Sequence, residues 1–152
     1  MDIMQTVLGN VLNVFKDIDP STIWKKVFAD EEFKTTILDW IRQEQLFKEG
    51  IDANENVIGY YSAFTEMLNP EKAQGSPYTL FDTGEFYRSM NIVVEKDFID
   101  VDSNPIKIDE NGKETNLIEA YGEDILGLTK EHKEKLANEL KERFVKEILK
   151  LL

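Results

Sequence analysis

The chain of 152 residues has no cysteine and one histidine, His132. Without thiols there is no disulfide framework, no cysteine-ligated zinc or iron–sulfur cluster and no thiol nucleophile, and the composition fits a reducing compartment. A single imidazole cannot build a multi-histidine metal centre. Cations are also scarce. Eighteen Lys and Arg face thirty Asp and Glu, a net charge of −12, and such a surface repels a phosphate backbone instead of gripping it. No apolar run approaches membrane-spanning length, so no span is expected. The opening Met-Asp-Ile-Met-Gln lacks a cationic region before a continuous apolar stretch, so no secretory leader is expected and the protein reads as soluble and intracellular. No internal repeat and no low-complexity segment interrupts the chain.

What is present suffices for a folded domain. Hydrophobic residues make up 41 % and aromatics 11 %, too apolar for intrinsic disorder. A chain of this length buries roughly 68–70 % of its unfolded surface and needs no metal or staple. The charge is uneven: residues 130–152 hold seven basic and five acidic side chains, leaving eleven basic against twenty-five acidic in residues 1–129.

Ile3, Val7, Val11, Val14, Phe15 and Ile18 recur at steps of three and four, the stripe of an amphipathic helix over 2–18. Gly9, Asn10 and Asn13 weaken it in isolation, so it is expected to fold only against something. Asp19-Pro20 restarts a helix with a cap and a proline at the first position, flanked by the apolar pair Ile18 and Ile23. Asp30 marks another restart, and Phe33, Ile37, Trp40, Ile41 and Phe47 mark a buried face ending at Gly50. Asp52 to Asn56 reads as a polar turn and Gly59 to Ser62 as an extended aromatic stretch. Asn69-Pro70 and Gln74 to Pro77 read as loops. Alternation over Met90–Val94, a tight turn at Lys96-Asp97, and alternation over Ile99–Asp102 predict a hairpin. Ile106 and Ile108 start a third strand closed by Asn111-Gly112, and Leu117 to Tyr121 forms a short apolar element before Gly122. Thr129 caps a final helix through Leu152, with Leu136, Leu140, Phe144, Ile148 and Leu151 inward.

Few patterns carry chemistry. Asp82-Thr83-Gly84 matches an aspartic-protease half-site, but it lacks the apolar strand flanks and would need a symmetric dimer. The better reading is a helix start, with Asp82 as cap, Glu85 three positions on, and Phe81 facing Phe86 across the end of a helix over 83–90. Asp52, Asn54 and Asn56 match the first ligands of a calcium loop, but Val57 and Ala63 replace the glycine and the bidentate glutamate it requires. His132 reads as a solvated position on the last helix. No nucleophile elbow, phosphate-binding loop, dinucleotide fingerprint or metalloprotease signature occurs. Tyr60, Tyr61, Phe64, Tyr78, Phe81, Phe86 and Tyr87 fall within 28 residues. They are either core or a protein–protein surface, where aromatics are enriched.

The order of elements resembles the tail-completion (neck, or minor tail) proteins of tailed bacteriophages. In that family an Asp-Thr-Gly segment followed by an apolar residue and a serine precedes an antiparallel sheet, and a Tyr-x-Gly-like segment precedes the closing helix. Asp82, Thr83, Gly84, Phe86 and Ser89 occupy the first pattern, with Ser89 one position late, and Tyr121 and Gly122 the second. The resemblance covers residues 78–152. It implies a non-enzymatic, ring-forming adaptor in the virion, assembled in the host cytoplasm and contacting portal, adaptor or tail-tube proteins. It implies no cofactor, no catalytic residue, no membrane and no sequence-specific nucleic acid. Acidic residues facing a lumen would let DNA slide through, and head-to-tail contacts close into rings when the rotation permits.

The expectation is therefore an α+β domain over 20–152: a small antiparallel sheet of three or four strands, packed by a long C-terminal helix and N-terminal helices. Residues 1–19 form a docking arm. The interface candidates are Val7, Val11, Phe15, Tyr60, Tyr61, Phe64 and Tyr78. Two rivals stand beside this reading. An acidic DNA mimic inhibiting a host nucleic-acid enzyme requires carboxylates spaced like phosphates. A carboxylate hydrolase requires a cleft with two acids of separated pKa.

Overall fold

A computed structural model of the protein describes residues 13, 16–95 and 98–152. Val7, Val11 and Phe15, nearly all of the expected 2–18 helix, and the turn at Lys96-Asp97 lie outside the described residues.

The first helices start where their caps place them. The Asp19 side chain accepts from the Ser21 N–H at 3.0 Å, opening α1 (Pro20–Val27) with proline at its first position. Asp30 Oδ1 accepts from the Glu32 and Phe33 N–H groups at 3.0 and 3.2 Å, opening α2 (Glu31–Asp39). The chain then runs without a break into a π-helix (Trp40–Glu49), which ends at Gly50 in the left-handed region (φ 64°). Wider winding changes which residues stack on one face. Ile37 and Ile41, four apart, are both buried, and so are Ile41 and Leu46, five apart and each at 0 % exposure. Phe47, expected on the buried face, is consequently turned out and half exposed, while Gln45 is turned in.

The strands form two separate antiparallel hairpins instead of one sheet. β1 (Asn91–Val94) pairs with β2 (Ile99–Asp102), Ile92 opposite Val101, and β3 (Ile106–Ile108) pairs with β4 (Glu114–Asn116). The link between them cannot continue a ladder. Pro105 has no N–H to give, and the Asn104 carboxamide and Ser89 hydroxyl take the adjacent donors, Ile106 N–H and Asn104 N–H. Ile92, Val94 and Val101 pack on the core, whereas Ile99, Ile106 and Ile108 are exposed.

Asn116 caps α5 (Leu117–Tyr121) through the Ile118 and Glu119 N–H groups. A 3-10 turn (Glu123–Leu126) follows, burying Ile125 completely. Thr129 caps α6 (Lys130–Leu149), whose Leu136, Leu140, Phe144 and Ile148 face inward. Helix α6 lies along α1, with the Phe144 and Trp24 ring centroids 4.7 Å apart. Arg143 stacks over Phe33 and bonds Asp30 at 2.9 Å. That bond, with the Phe33 N–H, holds the Asp30 carboxyl below its ordinary range. Leu151, expected on the inward stripe, lies past the end of α6 and is exposed. The architecture is α+β, as the sequence pattern predicts.

Candidate interaction surface

Residues 57–81 form a loop whose two ends are tied together. Ile51 bridges Val57 and Tyr60 bridges Pro77. Tyr61 N–H donates to Ser76 O at 2.9 Å, Gly75 N–H to Tyr61 O at 2.9 Å, and Tyr78 N–H to Gly59 O at 2.8 Å. The polar turn before it forms as expected, Asp52 Oδ1 accepting from Asn54 and Asn56. Close approach at the base requires glycine. A Cβ on Gly59 would stand 2.4 Å from the Tyr78 ring, and one on Gly50 would stand 2.5 Å from the Pro77 Cβ. Gly59→Ala should therefore open the base at a cost of about 1–3 kcal/mol. The check is amide exchange at Tyr78, expected to rise about tenfold or more, with the free energy of global unfolding lowered by no more than the same amount.

The loop carries a helix the sequence reading missed, α3 (Ala63–Leu68), capped by Ser62 through the Thr65 N–H at 3.2 Å. Its signal was present: Phe64, Met67 and Leu68 at steps of three and four, between a serine cap and an Asn-Pro stop. None of its residues is buried. Phe64 is 65 %, Met67 71 % and Leu68 69 % exposed, and neighbouring Tyr60 58 %. Clustered large apolar side chains left in water are characteristic of interaction sites.

Behind this face the remaining aromatics interlock. Tyr61 meets Tyr78 edge-on at 4.9 Å, and Tyr78 meets Tyr121 at 6.2 Å. Phe81 meets Phe47 at 5.7 Å and Tyr87 at 5.3 Å. Tyr87 is buried and its hydroxyl donates to Thr79 O, and that burial pushes its phenol well above the usual range. Burial likewise raises Tyr121, helped by Tyr78 and Tyr61.

The Asp82 segment is wired differently from the expected cap. Helix α4 spans Glu85–Ser89, not 83–90, and its N-cap is Gly84 at φ 82°. Thr83, not Asp82, reaches the Glu85 N–H, at 3.4 Å. Asp82 instead faces Lys72 at 3.4 Å and Lys107 at 3.2 Å. Burial raises its carboxyl, but the hydrogen bonds and charges of the two lysines outweigh that and leave it lowered. Phe81 is exposed and packs on Phe47 and Tyr87, while Phe86 is buried, so the expected pairing of Phe81 with Phe86 is replaced. Ser89 does link elements: its hydroxyl donates to Phe86 O at 2.7 Å and accepts from Asn104 N–H at 2.9 Å. Gly122 ends α5 at φ 89°. The structure thus gathers Tyr61, Tyr78, Phe81 and Tyr121 around one recess, with Tyr60 and Phe64 outside it.

His132 is buried, contrary to the solvated position expected. Its Nδ1 lies 2.7 Å from Gln45 Oε1 and its Nε2 lies 2.6 Å from Glu44 Oε2, and Trp40 stacks parallel at 5.4 Å. Gln45 is the joint: its Oε1 also accepts from Thr129 N–H at 3.0 Å, and its Nε2 donates to Gly127 O at 2.8 Å. Sequence spacing gives no hint of this, because the glutamine faces inward only through the π-winding.

Set against known proteins, the chain matches no family model, no curated protein and no solved structure. Among the described residues no cluster of three or more His, Asp or Glu is arranged to hold a metal, and no helix is long and apolar enough to cross a membrane.

Proposed function

We propose that this chain is a structural, ring-forming adaptor in the neck or tail of a tailed bacteriophage, joining copies of itself to portal, adaptor or tail-tube proteins. One observation carries the reading: Tyr60, Phe64, Met67 and Leu68 form a cluster of large apolar side chains on a capped, tied-down loop. A rigid apolar face of this kind loses least entropy when covered by another polypeptide. The element order around Asp82, Thr83, Gly84, Phe86 and Ser89 lends further support, as does an acidic surface that lets DNA pass without being held. Residues 1–19 serve as the docking arm.

Solution mass of the full chain, followed by imaging with purified portal, tests this. A defined ring, alone or on the portal, is the expected outcome. Removing residues 2–17, which precede Ile18, the first side chain packed on the core among the described residues, should abolish assembly and leave the domain folded. A truncated chain that still forms the full particle refutes the arm. A permanent monomer indifferent to virion proteins, but binding a basic host nuclease or repressor tightly and salt-sensitively, replaces the reading with the DNA-mimic one.

A further inference from the structure

We propose that the recess between the 61–81 loop and the β3–β4 hairpin binds a phosphate monoester that also carries an aromatic ring, as a mononucleotide does. The recess measures about 300 Å³, the lower end of small-ligand sites. Along one wall stand the rings of Tyr61, Tyr78 and Tyr121, each edge-on to the next, with Leu80 and Leu117 among the apolar lining. A flat ring entering there completes the offset or edge-on pairs that aromatic side chains prefer.

The rim reverses the sign of the molecule. In a chain of charge −12, three lysines from separate stretches, Lys72, Lys107 and Lys113, line this space against one acid, Asp109. Asp109 is committed to the hairpin turn, its Oδ1 accepting from the Asn111 and Lys113 N–H groups at 2.9 Å each. Lys72 and Lys107 are held in place against the two oxygens of Asp82. Lys113 has no ion pair among the described residues. A phosphate monoester brings a charge of about −1.5 to −2 and three acceptor oxygens, so it engages the two anchored ammonium groups more strongly than Asp82 alone and adds Lys113. A carboxylate ligand, with a single charge, gains much less by the exchange.

The site is also held ready. Leu80 lines it with φ at +58°, a left-handed conformation that a bulky residue keeps only where its surroundings enforce it, as they do at ligand clamps. Thr79 N–H donates to the Tyr61 hydroxyl at 3.3 Å, and Tyr87 donates to Thr79 O, so the Tyr61 ring is oriented before any ligand arrives. This inference does not depend on assembly.

Calorimetric titration of the full chain with adenosine monophosphate, adenosine and inorganic phosphate tests it. The monophosphate should bind about tenfold or more tighter than either fragment, and binding should weaken as salt is raised. Lys113→Gln, at an exposed position without an ion pair, should weaken binding about threefold to fivefold with no shift in thermal unfolding. Tyr121→Leu should weaken it comparably. Absence of saturable binding overturns the proposal. Equal binding of phosphate alone removes the role of the rings, and equal binding of adenosine removes that of the lysines. Parent-like affinity in both Lys113→Gln and Lys107→Gln places the ligand elsewhere and overturns it too.

Discussion

Replacing Gln45 by leucine is expected to lower folding stability by about 3 kcal/mol or more, although leucine is the more hydrophobic residue. Two groups lose their partner, the Thr129 N–H and the Gly127 carbonyl, and His132 Nδ1 keeps only the Thr129 hydroxyl at 3.3 Å. Thr129 and His132 are buried, and each buried group left unpaired costs roughly 1–3 kcal/mol. The apolar gain is smaller than that sum, because Gln45 is already fully enclosed and its aliphatic carbons are already out of water. Thr129 also caps α6, so the defect sits at the point where the longest helix begins. Urea unfolding reads the loss as a lower midpoint at unchanged slope. Combining Gln45→Leu with His132→Leu should cost less than the sum of the two, since they share one bond. A loss below about 1 kcal/mol would show that these groups find other partners.

That same cluster marks where the sequence stops being informative. Caps are local, so Asp19-Pro20, Asp30, Thr129 and Gly50 read correctly from four or five neighbouring residues. Alternation located β1, β2 and β3 for the same reason, whereas β4 (Glu-Thr-Asn) carries no apolar alternation. His132 read wrongly because its partners lie 87 and 88 positions away in the chain and because Gln45 faces inward only through a π-helix, a winding with no propensity signature. Phe47 fails on the same winding. The Asp82 error has another origin. The capping pattern is present, but two lysines brought by distant segments compete for the carboxylate, and a charge-assisted bond outweighs a neutral backbone donor. The first three strands were legible and their separation into two hairpins was not, since that depends on what takes the donors beside Pro105. Of the candidate surface, the aromatic enrichment was visible, but not which rings turn inward.

The division of those rings is what makes the second large effect expected. Tyr61 and Tyr78 within the loop, and Tyr87 from α4 through its bond to Thr79 O, hold its shape, while Phe64 and Met67 touch mainly water. Phe64→Ser together with Met67→Ser should therefore leave the isolated domain within about 0.5 kcal/mol of its parent, as surface changes do. If the face is the contact between copies, the same pair should weaken association about a thousandfold, because two central apolar anchors each contribute roughly 2 kcal/mol or more. Sedimentation over a range of concentrations measures the second effect, and unfolding below the association threshold measures the first, where mass action does not enter. Serine at Tyr61 would not separate the two, since it removes the hydroxyl that Thr79 uses and loosens the loop itself. A double variant that assembles as the parent does would leave the apolar face without a role in self-association, and the contact would then have to lie elsewhere on the molecule.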